Sequence, residues 1–249
     1  MVVQAEEGLL TIPAIPTTPG ARVRVLVATA VPVERDAVAQ AFEGADGTDG
    51  GPVDIIAAGV GPAASAASVA SALTTAALRG TPYGLVVSTG IAGGFQPEAP
   101  VGSLVVADEI TVADLGAETP DGFVPVTGLG FGTVTHRPPE TLVRDLTAMT
   151  GARSGTVLTV STVTGTAERA AELRARHPGA LAESMEGFGV AEAAAAHGVP
   201  VLEIRAVSNP VGPRDRAAWR IGDALAALTE AFGKLAPVLE SWNPHEPTN

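Results

Sequence analysis

The chain has 249 residues, enough for one large domain with a sizeable core. Apolar residues make up 46% and charged ones 17%, which excludes a disordered chain, and a net charge of −12 argues against a nucleic-acid partner. Cysteine is absent, so disulfides, a thiolate nucleophile and a cysteine-ligated metal are excluded as well.

Mean hydropathy is positive, yet no run of about 18 apolar residues marks a membrane span. The apolar surplus points instead to a subunit interface. Residues 1–21 carry three prolines and no Lys or Arg. They predict a flexible N-terminal arm rather than a secretory signal, and hence a cytoplasmic protein. A strand is expected at residues 23–28 and a helix at 32–42, with Pro32 in its first turn, where a missing N–H costs nothing. A second strand, 53–58, closes on Gly59-Val60-Gly61, and Pro62 opens an Ala/Ser-rich helix to residue 79. A third strand, 85–88, ends in the turn Thr89-Gly90-Ile91-Ala92-Gly93-Gly94. This β-α-β-α-β order favours a largely parallel sheet with helices packed on it.

The middle of the chain differs. Residues 102–112 read as an apolar strand interrupted by Asp108 and Glu109, and 114–132 as loops or a short hairpin. A helix follows at 138–149, a strand at 155–161 and a helix at 167–176. A short strand ends at Met185, a helix covers 187–197, a strand 201–207, and 217–239 is helical before a polar tail at 241–249. The whole predicts a single α/β domain over 22–240: a central mixed, twisted β-sheet flanked by helices.

Two polar residues stand out at the ends of apolar segments. Glu186, in Glu183-Ser184-Met185-Glu186-Gly187-Phe188, is a bidentate acceptor suited to a sugar diol. Asn209, at the end of Arg205-Ala206-Val207-Ser208-Asn209, offers a donor and an acceptor side by side, suited to a heteroaromatic base. The glycines at 90, 93 and 94 would let backbone N–H groups approach a ligand at the carboxyl edge of the sheet; a tight turn without a ligand is the plainer reading. Neither a dinucleotide fingerprint nor a P-loop is present. Glu34, near a helix start, reads by itself as a helix-dipole carboxylate. Asp108 and Glu109 cannot both be buried unpaired, so an edge or interface position is expected for them. His136, His177, His197 and His245 share no metal-ligand spacing, and no serine stands in a nucleophile elbow; neither a metal nor a cofactor is expected. Met185, Phe188 and Phe95 suit the core, or the wall of a base pocket.

Four segments, in order, resemble the purine and uridine phosphorylase-like superfamily: Gly59-Val60-Gly61; Ser88 to Gly94 with Val101 to Asp108; Ser184-Met185-Glu186-Gly187; and Arg205 to Asn209. The resemblance spans about residues 22–235. Within the superfamily the chain is most similar to the bacterial nucleosidase branch and its futalosine hydrolase group, through Val27 to Glu34 and through Ser208 to Arg216 with Trp219. That resemblance implies a nucleoside phosphorylase-like fold, a nucleoside as the small-molecule partner, a homodimer or higher homo-oligomer, and cleavage of futalosine to free hypoxanthine in menaquinone biosynthesis. It implies that Glu34 orients and deprotonates a water. Glu186 would bind the ribose hydroxyls with Met185 against the sugar. Ile91, Ala92, Gly93 and Phe188 would line the substrate site, and Arg214 would meet the far end of the substrate, with Arg216 and Arg137 as further candidates. Asn209 falls where adenine-cleaving relatives carry an aspartate acid. An amide cannot serve as that acid, but its carbonyl and NH₂ match N7–H and the 6-oxo group of hypoxanthine. Asp215 is a weaker substitute acid. Phosphorylases of the superfamily carry an arginine just before the glycine-rich segment. Here Leu85-Val86-Val87-Ser88-Thr89 has no cation, which favours water over phosphate. The alternatives are a purine nucleoside phosphorylase, a methylthioadenosine-type nucleosidase, or a binding or storage protein without catalysis.

Overall fold

The structure is a computed structural model that describes residues 24–42 and 51–240. The N-terminal arm and the polar tail expected from the sequence lie outside the described residues. In chain order the elements are β1 (Arg24–Thr29), α1 (Pro32–Ala39), β2 (Val53–Ala57), α2 (Pro62–Leu78), β3 (Tyr83–Gly94), β4 (Leu104–Val112), β5 (Gly116–Thr119), β6 (Gly122–Pro125) and β7 (Thr135–His136). They continue with α3 (Glu140–Thr150), β8 (Arg153–Thr159), α4 (Ala167–Arg176), β9 (Ala180–Ser184), α5 (Gly187–Ala196), β10 (Val201–Pro210) and α6 (Ile221–Glu240). Short 3-10 turns follow α1 and β6 and precede α6.

Among the described residues, eight strands form one mixed sheet in the order β10-β4-β8-β9-β3-β1-β2, with β7 on β4. β10 also pairs with β3, so β10, β4, β8, β9 and β3 close into a ring and β1 and β2 extend from it. β1–β2, β1–β3 and β10–β3 are parallel, as the alternating N-terminal pattern requires. β10–β4 and β3–β9 are antiparallel, which makes the sheet mixed. β5 and β6 form a separate hairpin within the segment read as loops or a short hairpin.

The period-two alternation of strand side chains sorts the core into two layers. Leu26, Ala28 and Val86 face Val69 and Leu73 of α2 and Val190, Ala191 and Ala194 of α5. Val25, Val27, Leu85 and Val87 face the other way, onto Val38 of α1, Leu142 and Leu146 of α3, and Leu228, Phe232 and Leu235 of α6. Each such Val, Leu or Phe taken fully from water contributes about 1.5–3 kcal/mol, so the sheet is held from both faces.

Two features depart from expectation. β3 does not stop at Ser88: it runs through the glycines to Gly94, because β10 pairs along it as far as Pro210–Gly94 and β9 adds to its end at Gly93 and Gly94. The glycine segment is thus strand and not turn. Asp108 and Glu109 straddle a register shift in β4. Asp108 is exposed and Glu109 pairs with Arg137, so neither charge is buried alone.

Candidate active site

The carboxyl ends of β1, β3, β9 and β10 open into one cleft of about 470 Å³. Its lining includes Glu34, Ile91, Ala92, Gly93, Met185, Glu186, Asn209 and Arg214. Eight of the nine residues singled out for the site are therefore brought together. Phe188 is not among them. As the second residue of α5 it lies off the cleft, buried in the core with its ring 5.3 Å from that of His136, and its N–H donates to Thr159 Oγ1 at 2.8 Å. A helix that starts at Gly187 sends successive side chains round by about 100°, so Glu186 and Phe188 cannot share a face.

Glu34 occupies the third position of α1, and the structure gives it two tasks. Oε2 accepts from the N–H groups of Ala30 (3.0 Å) and Val31 (3.3 Å), capping the helix start. Oε1 reaches across to β3 and accepts from Ile91 N–H at 2.9 Å. The side chain is buried and held from both ends.

Arg205 is the residue that sequence reasoning left without a role. It is fully buried, the largest side chain so placed. Nε donates to Glu203 Oε1 (2.8 Å), Nη2 to Ser88 Oγ (3.0 Å) and Nη1 to Glu186 Oε2 (3.5 Å). Burial works against its charge, but the carboxylates of Glu203, Glu186 and Glu34 outweigh it and hold the guanidinium above its ordinary pKa. Burial pushes the Glu203 carboxyl up, and the neighbouring Arg205 guanidinium and the Ser184 hydroxyl pull against this without outweighing it. The clue in the sequence was the i, i+2 pair Glu203 and Arg205 in an apolar strand, which puts opposite charges on one face.

Glu186 completes the inner end. Buried at the entry to α5, it accepts from Gly61 N–H through Oε1 at 3.2 Å and lies against Arg205 through Oε2. Gly90 separates these groups. It has φ +150°, and a Cβ there would lie 2.6 Å from Glu34 Oε1 and 3.0 Å from Arg205 Nη1. A side chain at residue 90 would collide with both groups, so glycine is what lets the Glu34 carboxylate and the Arg205 guanidinium close onto β3 here.

At the other end, Asn209 follows a bulge at Ser208 and pairs with Gly93. Its Oδ1 accepts from Ser208 Oγ (2.8 Å) and its Nδ2 donates to the Pro210 carbonyl (3.0 Å), which leaves one lone pair and one N–H for a ligand. Arg214 lies over the Trp219 ring, 5.0 Å from its centroid, with Arg216 also on the lining. Arg137 sits elsewhere, paired with Glu109. Asp215 does not line the cleft and caps the following turn by accepting from Ala217 N–H at 3.2 Å. Among the described residues no group of three or more His, Asp or Glu is arranged to hold a metal ion.

The comparisons with known proteins agree with this architecture. Residues 14–241 match the phosphorylase superfamily. The chain is 74% identical over 235 residues to the futalosine hydrolase of Streptomyces coelicolor, covering 89% of this chain and 99% of the relative. It is 47% identical to the futalosine hydrolase of Acidothermus cellulolyticus, covering 86% and 90%. Among solved structures, the native futalosine hydrolase of Helicobacter pylori strain 26695 superposes with a TM-score of 0.69 at 15% identity, over 87% of this chain and 98% of that one; this likeness speaks to the fold. The chain belongs to the phosphorylase superfamily and, within it, to the futalosine hydrolase family.

Proposed function

We propose that the protein hydrolyses the N-glycosidic bond of futalosine, releasing hypoxanthine and dehypoxanthine futalosine in menaquinone biosynthesis. The observation that carries the reading is the pair of buried carboxylates, Glu34 and Glu186, on one cleft with Asn209 at its other end. A water held by Glu34 in that cleft attacks C1′ of the ribose. Its hydroxyl ends on C1′, and its proton passes to Glu34. The C1′–N9 bond breaks and its electron pair goes to the base. The base takes up a proton from solvent at N7, where Asn209 Oδ1 accepts it while Nδ2 donates to O6. Glu186 keeps a lone pair on each oxygen for the ribose hydroxyls, with Met185 against the sugar. These contacts strengthen as the ribose becomes cationic.

Charge favours water over phosphate. Glu34 and Glu186 face the reacting position, and the one cation there, Arg205, is already engaged by Glu203 and Glu186. A phosphate dianion would meet carboxylates. Arg214 and Arg216, at the rim, suit the carboxylate of the futalosine side chain.

Residues 22–240 form the catalytic unit of this reading, and the unit works as a cytoplasmic homodimer. Val33 and Val60 support the dimer, being 54% and 56% exposed near the cleft, where a second copy would cover them. Among the described residues no helix is long and apolar enough to cross a membrane. The test is incubation with futalosine, with and without phosphate, read by chromatography of the products, alongside the mass by light scattering. Hypoxanthine released at the same rate in both conditions is expected. Release that requires phosphate would overturn hydrolysis, and a monomeric mass at micromolar concentration would overturn the dimer.

A further inference from the structure

The start of α5 is capped from outside the helix. Glu186 stands immediately before its first residue, Gly187, and the Glu186 side chain leaves that end uncapped. A side chain in this place ordinarily accepts from the N–H of the second or third helical residue. The positive end of the helix draws a carboxylate to the same N–H groups. Here the N–H of the second residue, Phe188, donates instead to Thr159 Oγ1 at 2.8 Å. Thr159 belongs to another element: it is the last residue of β8, and it is fully buried.

The consequence falls on Glu186. Its carbonyl is fixed, accepting from Val190 N–H at 3.1 Å within the helix. The buried hydroxyl of Ser65 on α2 adds to this, sharing its proton between the carbonyls of Glu186 and Pro62, each at 3.2 Å. The carboxylate turns the other way, into the cleft, with Oε1 on Gly61 N–H at 3.2 Å and Oε2 on Arg205 Nη1 at 3.5 Å. Both contacts lie at or beyond the long end of the hydrogen-bond range. A free N–H on Phe188, two residues away, would compete for the same oxygens. Thr159 satisfies that N–H first. The sheet register puts it there: Thr159 pairs with Ser184 of β9, so the end of β8 lies beside the turn that carries Met185 and Glu186 into α5.

We infer that Thr159 is a positioning residue for ribose recognition: by accepting the Phe188 N–H it caps α5 in place of Glu186 and keeps the Glu186 carboxylate turned to the sugar hydroxyls. This rests on the proposed nucleosidase reading and adds the device that orients its sugar-binding group.

The test measures kcat/KM for futalosine and for 2′-deoxyfutalosine, which lacks one of the hydroxyls assigned to Glu186, in wild type, Thr159→Val and Thr159→Ser. Valine keeps the shape and removes the acceptor, whereas serine keeps the acceptor. Comparing the ratio of the two substrates between enzymes cancels their different intrinsic reactivity. A carboxylate drawn back to Phe188 N–H loses the ribose, so the preference for futalosine should narrow at least about five-fold in the valine variant, the scale of a lost helix cap. Serine should restore the wild-type ratio. An equal fall on both substrates would reduce Thr159 to a structural support and overturn the inference, as would a serine variant that behaves like valine. A wild type without the preference would remove Glu186 from the sugar and overturn the inference with it. Amide hydrogen exchange on wild type guards against a valine variant that does not fold: the Phe188 N–H should be as protected in the free enzyme as the interior sheet amides, and rapid exchange there would overturn the proposal. If wild type released no hypoxanthine from futalosine, the nucleosidase reading itself would fail, which is a distinct result.

Discussion

Gly90→Ala is the sharpest perturbation of the positions that Glu34 and Arg205 hold against β3. The added methyl carbon would stand 2.6 Å from Glu34 Oε1, 2.9 Å from its carboxyl carbon and 3.0 Å from Arg205 Nη1. Neither neighbour can yield freely: Glu34 is held by three backbone N–H groups and Arg205 by Glu203, Ser88 and Glu186. At φ +150° an alanine is strained as well, at about 1–3 kcal/mol. A displacement of about 1 Å in a reacting group costs about 100-fold. The expected result is a fall in kcat of at least about 100-fold, with the melting temperature lowered by a few degrees. Hypoxanthine release from futalosine measures the first and thermal unfolding the second. A folded Gly90→Ala enzyme with wild-type kcat would refute the need for Glu34 and Arg205 to hold these positions during turnover.

Further outcomes follow from the same geometry. Glu34→Gln should lower kcat by about 100- to 10,000-fold, as loss of a general base does, with KM nearly unchanged. Its NH₂ must face a backbone N–H, so a stability loss of about 1–3 kcal/mol should accompany it in denaturant unfolding; wild-type turnover would remove Glu34 as the base. Asn209→Asp should narrow a preference for 6-oxopurine over 6-aminopurine nucleosides that in wild type is at least about ten-fold, or about 1.4 kcal/mol in barrier; an unchanged ratio would leave Asn209 as a turn residue ahead of Pro210. Burial raises the folded-state pKa of Glu183 above the ordinary carboxylate value, so its contribution to stability is full below the unfolded-state pKa and is lost as pH rises through the folded one. Glu183→Gln should therefore flatten the decline in melting temperature from about pH 4 upward, and parallel wild-type and variant curves would contradict this.

Much of the site was legible because its residues sit where β-strands end, and strand ends are marked in the sequence. Glu34 lies just beyond the first strand, Glu186 at a strand-to-helix junction and Asn209 at the end of an apolar run. The order of strands and helices up to Thr89 was enough to require parallel pairing. What could not be read depended on partners distant in sequence. The glycines after Ser88 looked like a turn, because nothing local shows that β9 and β10 would pair with them. Glu183 takes its environment from Thr164, 19 residues earlier. β7 is two residues long and exists only through its pairing with β4. Phe188 was misplaced for a local reason: it follows Glu186 in sequence, but the helix begins between them and turns it into the core.

Arg205 also shows how one charge set can suit the proposed reaction and disfavour its rival. Glu34, Glu186 and Glu203 gather round the single guanidinium of Arg205, so carboxyl groups outnumber the cation three to one at the sugar end. Such a field stabilises a ribose that becomes cationic and repels phosphate. Glu203 contributes to it without reaching the cleft: its carboxylate is fully buried, and Gly187 makes room for it, since a Cβ there would lie 2.2 Å from Oε2. Glu203→Gln keeps the shape and a hydrogen bond to Arg205 but removes one carboxyl group from this set. A unit charge at about twice the 4 Å contact distance is worth about 2 kcal/mol at an effective dielectric of about 20, which is roughly thirty-fold in rate. The variant should thus lose about that factor in kcat. It should also lose stability, up to the 3–5 kcal/mol typical of a broken buried ion pair. The two readouts separate the roles. Lower stability with unchanged kcat would make Glu203 a structural counter-ion only, whereas a rate loss in the folded variant places it in the field that the reacting sugar experiences.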